Sequence, residues 1–310
     1  MKLLQFEIPG HDTGRRAGVL HEGRIVDITD LLAGLALPTE AAQALRVRGI
    51  EPAAGGLVRW LQAGPAARAA LAPQIAQRLA SPQAVRHDPA AVTLRAPVAR
   101  PGKVVAIGRN YADHAKETGV QPFEKPRIIS KLPSSVTDPG TVVRKPPPVT
   151  KFDFEGELGV VIGSFAHAVD EARALDHVAG YTLLNDLSAR EFQFDISPAQ
   201  TTFAKSMDGF CPLGPVLVSA DAIPDPQALD LSTRVNGVEV QHATTADMLF
   251  PVRTLIAYIS QYMTLEPGDV IATGTPAGIG AFRTPPVWLA AGDRIEVTIP
   301  QIGTLETRIG

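Results

Sequence analysis

Asp153-Phe154-Glu155-Gly156-Glu157-Leu158-Gly159-Val160-Val161-Ile162-Gly163 sets two acids at the mouth of an apolar run that reads as a buried β-strand. On a strand, residues i and i+2 share a face, so Glu155 and Glu157 project together. Adjacent carboxylates repel, and each costs several kcal/mol to desolvate unless positive charge sits between them. A divalent cation is the usual remedy, and oxygen-only ligands favour Mg²⁺, Mn²⁺ or Ca²⁺ over zinc. Taken alone, the pair reads equally well as an acidic strand end fraying into solvent. The segments around it decide.

Outward from this strand lie further short β-like runs: Val178–Leu184, Gly214–Ser219, Leu231–Val235, Val270–Thr273, Arg294–Ile299 and Leu305–Ile309. A helix is expected over Met248–Tyr262. Many short strands with Gly/Pro turns argue for a β-rich α+β fold, a sandwich or roll, and against a doubly wound parallel sheet. Upstream, Lys103–Gly108 reads as a strand and Asn110–Gly119 as a helix closed by glycine. The first hundred residues differ in texture. Leu3–Ile8 and Ala17–Ile28 read as strands, the latter folded at His21-Glu22-Gly23-Arg24, and Thr39–Ala80 has helical spacing interrupted at Pro52, Pro65 and Pro73. Ala96-Pro97-Val98-Ala99-Arg100-Pro101-Gly102 reads as a linker. The expected division is therefore a small N-terminal α+β domain over 1–98 and a catalytic domain over 99–310.

Composition narrows the class. The chain has 310 residues, 45% hydrophobic and 20% charged, which describes a globular protein with a real core. A net charge of −3 offers no basic face for nucleic acid or anionic lipid. The lone Cys211 excludes an internal disulfide and a cysteine-rich metal cluster, and it reads as core. No apolar run approaches the roughly 20 residues that span a bilayer. A cytoplasmic protein acting on a small molecule is expected, with no nucleic-acid or membrane partner.

Four more segments carry chemistry. Asp186, in Asn185-Asp186-Leu187-Ser188-Ala189-Arg190-Glu191, follows an apolar strand at its polar end, where it reads as a third oxygen ligand or as a helix N-cap. Arg190 and Gln193 share one face of a helix expected to begin near Ser188. Lys205 sits in the apolar stretch Phe203-Ala204-Lys205-Ser206; buried beside carboxylates it stays charged and holds an anion. His114 and Glu117 are three apart, which on a helical turn makes either a surface contact or a histidine base oriented by a carboxylate. Finally, Thr273-Gly274-Thr275-Pro276-Ala277-Gly278 is a glycine-rich loop without the lysine of a P-loop or the spacing of a dinucleotide site. Serine-hydrolase and zincin motifs are absent from the sequence.

Together these strings resemble the fumarylacetoacetate hydrolase family: Gly108-Arg109-Asn110-Tyr111 with His114, Glu155-x-Glu157, Asn185-Asp186-x-Ser188-Ala189-Arg190, Ala204-Lys205-Ser206, Asn236-Gly237 and Thr273-Gly274-Thr275-Pro276-x-Gly278. The match covers about Lys103 to Gly280 and continues more loosely to the C-terminus. The resemblance implies a mixed β-sandwich roll, commonly a homodimer, after a smaller N-terminal domain. It implies Mg²⁺ or Mn²⁺, with Ca²⁺ a third candidate, bound by Glu155, Glu157 and Asp186. It further implies catalytic roles for His114, Glu117 and Lys205, and substrate contacts from Arg109, Tyr111, Arg190, Gln193, Lys205 and Thr275. The segment around His114 and Glu117 is expected to act as a lid.

The expected reaction is cleavage of a C–C bond in a β-diketo, acylpyruvate-type acid. Its 2-oxo acid head chelates the cation, which stabilises the enolate as the bond breaks. Decarboxylation or isomerisation of a 2-oxo dicarboxylate from aromatic catabolism is the alternative on the same site. A non-catalytic metabolite-binding protein is the reading from another class.

Overall fold

A computed structural model of the chain describes residues 1–10, 14–117, 119, 121 and 123–310. Val120 and Pro122 lie outside the described residues, as does Thr118 of the expected helix. In the N-terminal segment, β1 (Lys2–Glu7), β2 (Arg16–His21) and β3 (Arg24–Asp27) form a meander, and the last two turn at the expected Glu22-Gly23. Helices α1 (Thr39–Val47), α2 (Gly56–Gln62) and α3 (Gly64–Ala80) follow. Pro65 lies in the first turn of α3, where a missing N–H costs nothing, but Pro73 lies inside the helix and does not end it.

The rest of the chain supplies β4 (Val104–Gly108), α4 (Ala112–Glu117), β5 (Arg127–Lys131), β6 (Gly156–Ile162), β7 (Val178–Asn185), β8 (Cys211–Ser219), β9 (Asp230–Val235), β10 (Val238–Thr244), α5 (Val252–Ser260), β11 (Val270–Ala272), β12 (Arg294–Ile299) and β13 (Gly303–Ile309). Among the described residues, a long sheet runs β3-β2-β1-β8-β7-β6-β11-β4-β5, antiparallel except where β11 lies parallel to β4. A second sheet, β10-β9-β12-β13, packs over it.

The two faces of the long sheet have different covers. Leu158, Val160 and Ile162 of β6 join Leu231, Ile295, Val297, Ile299 and Leu305 in the core between the sheets. Val161, pointing the other way, joins a second core with Leu57, Trp60, Leu61, Leu71 and Ile75 of the N-terminal helices. The fold is the mixed β-sandwich of the expected class, with sheets dominating and the N-terminal helices on the outer face of the long sheet. The stretch expected as a linker is no flexible tether: Ala96 and Val98 are buried in that second core.

Candidate active site

The acids converge where the ends of β6 and β7 meet. The Asp186 amide donates to the Glu155 carbonyl at 2.8 Å, and the Glu155 amide donates to Asn185 Oδ1 at 3.2 Å. These bonds staple the two chain segments just beyond the regular ladder, so backbone geometry fixes where the carboxylates point. One oxygen from each of Glu155, Glu157 and Asp186 lies within 4.8 Å of the others, and all three side chains are buried.

Three cations surround the cluster. Lys205 Nζ donates to Glu155 Oε2 at 3.0 Å, Asp186 Oδ2 at 2.7 Å and Ser188 Oγ at 2.8 Å. Lys131 Nζ, wholly buried, donates to Asp186 Oδ1 at 2.6 Å, to the Phe210 carbonyl at 3.0 Å and to the Lys205 carbonyl. Arg190 Nε donates to Asp153 Oδ2 at 2.8 Å, while its Nη2 forms a 2.6 Å ion pair with Glu155 Oε1 off the hydrogen-bond line. Burial works against charge at each site, and the partners decide the outcome. Burial pushes the Glu155 carboxyl up, yet Lys205 and Arg190 outweigh it and hold it at about 2. Burial lowers Lys205, but Asp186 and Glu155 more than restore it, so the ammonium is held above its ordinary value.

Glu157 is the exception. Among the described residues no cation lies within ion-pair distance of it, and it accepts one bond, from the Gly274 amide at 2.8 Å. Burial, then Asp186 and Glu155, push its carboxyl well above the usual range. A buried acid whose charge the protein leaves unanswered, beside two more carboxylates, is what a hard dication would neutralise. The donor set is all carboxylate oxygen, so the residues fit a divalent metal site.

A cavity of about 180 Å³ opens on the cluster, and its wall includes Arg109, His114, Glu155, Asp186, Arg190, Gln193, Lys205 and Thr275. His114 Nδ1 lies 3.0 Å from Glu117 Oε2, and Glu117 Oε1 accepts the Gly278 amide at 3.1 Å. The histidine is thus braced from the glycine-rich loop, which leaves its Nε2 for the cavity. Gln193 Oε1 accepts from Arg190 Nη1 at 2.9 Å. Thr275 Oγ1 donates to the Gly156 carbonyl at 3.0 Å and accepts from Gln241 Nε2 at 2.8 Å.

Two expectations are corrected. Tyr111 was expected to touch substrate, but its backbone bridges to Met248 and its ring is buried in the apolar core, off the cavity wall. Among the described residues its hydroxyl has no partner, and burial followed by the Glu157 charge pushes its pKa up. Ser188 does not begin a helix. With Ala189 it forms a short strand paired to Phe152–Asp153, and the helical turn starts at Glu191.

Three residues escaped the sequence reading. Asp153, wholly buried, accepts from the amides of Gly280 at 2.8 Å and Ala281 at 3.1 Å as well as from Arg190, tying that arginine to a distant loop. Lys131 grips Asp186 from behind. Gln241 links Gly156, Thr275 and Pro276, its Oε1 accepting the Gly156 amide at 3.0 Å. Asp153 stood in plain view two residues before Glu155; Lys131 closes the short strand Arg127–Lys131, whose arginine, serine and lysine give no apolar pattern to single it out.

Fold and site together define a metal-type carboxylate centre in a β-sandwich roll. A family model described as "Fumarylacetoacetate (FAA) hydrolase C-terminal" matches residues 103–310. The chain is 38% identical over 310 residues to the mitochondrial oxaloacetate tautomerase FAHD2A of Bos taurus, covering 100% of this chain and 91% of that protein. It is 45% identical over 223 residues to the oxaloacetate tautomerase YisK of Bacillus subtilis, covering 71% of this chain and 73% of that one. Maleylpyruvate hydrolase from Sphingobium sp. SYK-6, crystallised with manganese(II) and pyruvate, superposes with a TM-score of 0.75 at 30% identity over 100% of this chain and 98% of that one. The chain belongs to the fumarylacetoacetate hydrolase family. It is an enzyme of that family, whose members include hydrolases, isomerases and tautomerases.

Proposed function

We propose that this protein is a divalent-cation-dependent enzyme of 2-oxo-acid enol chemistry, with keto–enol tautomerisation of a small 2-oxo acid as its main reaction. One observation carries the reading: His114, braced by Glu117, lines the same small cavity as Glu155, Asp186, Arg190 and Lys205. A bound Mg²⁺ or Mn²⁺, held by Glu155, Glu157 and Asp186, would supply a Lewis acid at the 2-oxo group. Lys205 and Arg190 keep fixed positive charge beside the position where negative charge grows, in a site too buried for water to screen it. His114 Nε2 takes the proton from the carbon next to the oxo group and delivers it to the enolate oxygen, the enol-to-keto direction running in reverse, while Glu117 steadies the ring. The names of the bovine and Bacillus relatives support this reading.

Hydrolytic C–C cleavage of an acylpyruvate-type acid is the second reading. It needs the same base to take its proton from water instead, and the likeness to the Sphingobium hydrolase favours it. The test follows enol loss from oxaloacetate and cleavage of acetylpyruvate and fumarylpyruvate, with and without exhaustive chelation. Tautomerisation is expected with Mg²⁺ or Mn²⁺ and is lost on chelation. In His114→Asn it falls by about 10²- to 10⁴-fold while the cation still binds. Turnover that survives chelation or the substitution overturns the proposal; cleavage without tautomerisation replaces it with the second reading.

A further inference from the structure

Asp153 is wholly buried and stands behind the cavity wall, and the proposed chemistry gives it no part. Four donors nevertheless converge on it. Its Oδ1 accepts the amides of Phe154 at 2.9 Å and Gly280 at 2.8 Å, and its Oδ2 accepts the Ala281 amide at 3.1 Å and Arg190 Nε at 2.8 Å. A Cβ on Gly280 would stand 2.6 Å from Oδ1, so the missing side chain there is what admits the carboxylate. Three of these donors are backbone amides from separate stretches of chain, which leave the carboxylate no freedom to turn. Only the fourth is a side chain, and it belongs to the cavity wall.

The Arg190 guanidinium is spoken for at two of its nitrogens. Nε donates to Asp153, and Nη1 donates to Gln193 Oε1 at 2.9 Å. Nη2 differs: it is buried, has no hydrogen-bond partner among the described residues, and faces Glu155 Oε1 at 2.6 Å only as a charge. Leaving a buried donor unsatisfied costs about 1–3 kcal/mol, which a substrate oxygen in the cavity would recover. Because the guanidinium is a rigid planar fork, a bond at Nε sets the direction in which its other nitrogens point.

We propose that Asp153 is a positioning residue: it holds Arg190 by Nε so that Nη2 keeps a free donor for the substrate oxygen on which negative charge develops. Without that hold the fork is free to rotate onto Glu155 and close the hydrogen bond it now misses, which would consume the donor. The assignment rests on the proposed enol chemistry and adds to it the group that aims the arginine.

The test is a double-mutant cycle on the full-length protein with Mn²⁺ bound. It is read by oxaloacetate tautomerisation and by calorimetric affinity for oxalate, whose paired oxygens and double charge imitate a 2-oxo-acid enolate. Asp153→Asn keeps the oxygen that faces Phe154 and Gly280 but turns an NH₂ on Arg190 Nε, donor against donor. It should lower kcat by about 10²-fold with KM changed by less than about threefold, the pattern of an interaction made in the transition state. Oxalate affinity should fall by about tenfold or more and pyruvate affinity by less than about twofold. Arg190→Met should cost at least as much, and Asp153→Asn added to it should cost less than about twofold more. Losses that multiply overturn the assignment, because Asp153 would then act by another route than Arg190. Unchanged kcat and oxalate affinity in Asp153→Asn overturn it too. Should Asp153→Asn fail to fold, hydrogen exchange in the unaltered protein decides. With ¹⁵N-labelled arginine, the Nε–H signal that vanishes in Arg190→Lys should exchange at least about 10²-fold more slowly than those of exposed arginines. Equally fast exchange overturns the bond and the assignment with it. An intact oxalate cycle without turnover of any 2-oxo acid would instead remove the proposed reaction and leave Asp153 its place.

Discussion

Glu157 shows how one carboxyl couples metal, proton and stability. Its pKa is raised in the folded protein, so the stability it contributes is fully present below the ordinary value of 4.5 and is lost as pH rises through the raised value. In the cation-free protein Tm should therefore fall as pH climbs above about 4.5, and Mg²⁺ should suppress that fall because it replaces the proton. Glu157→Gln should flatten the slope, and cation binding should release protons, measurable as a dependence of the binding heat on buffer ionisation enthalpy. An identical slope in the variant would remove Glu157 as its source. The residues that surround this acid differ in how far the sequence exposes them. The Glu155–Glu157 pair was legible because strand alternation acts over two residues. Lys131, Gln241 and Asp153 were not: their partners Asp186, Thr275 and Gly280 lie 55, 34 and 127 residues away, and no local period encodes such meetings.

At the scale of elements, the loop after β11 holds the base of the site together. Gly278 has φ 104°, and a Cβ there would stand 2.0 Å from the Val240 carbonyl of β10, backbone against backbone. Its amide is also the donor that holds Glu117. Gly278→Ala is therefore expected to displace the loop and release the His114–Glu117 pair, lowering kcat/KM by about 10²-fold, the usual effect of misplacing a catalytic group by about 1 Å. Retained kcat/KM would show that the brace is dispensable. The strands read best in advance were those whose apolar residues recur with core burial, such as Arg294–Ile299, where every second residue is buried. The strand that was missed, Arg127–Lys131, has a charged residue at each end and a serine between them, which breaks the apolar pattern a strand is read from. The expected helix over Met248–Tyr262 is shorter, Val252–Ser260, since Pro251 stands just ahead of its first turn.

For the whole molecule, the first 98 residues complete the sheet as well as cover it. β1 pairs with β8 in register Leu3↔Leu217, and Leu57, Trp60 and Leu61 pack on Val104, Val161, Leu213 and Val270. A fragment of residues 99–310 would expose an unpaired strand edge above an apolar face, so it is expected to aggregate on expression. A soluble, monodisperse fragment that binds Mn²⁺ would count against this. No helix among the described residues is long and apolar enough to cross a membrane. The β5 ladder has a consequence of its own. Every residue from Arg127 to Lys131 is paired to β4, so neither end can slide, and at ~3.3 Å per residue its two charged ends stay about 13 Å apart along the backbone. Such a strand behaves as a strut: Lys131 grips Asp186 from a base that the β4 ladder keeps in register, so the acid keeps its place.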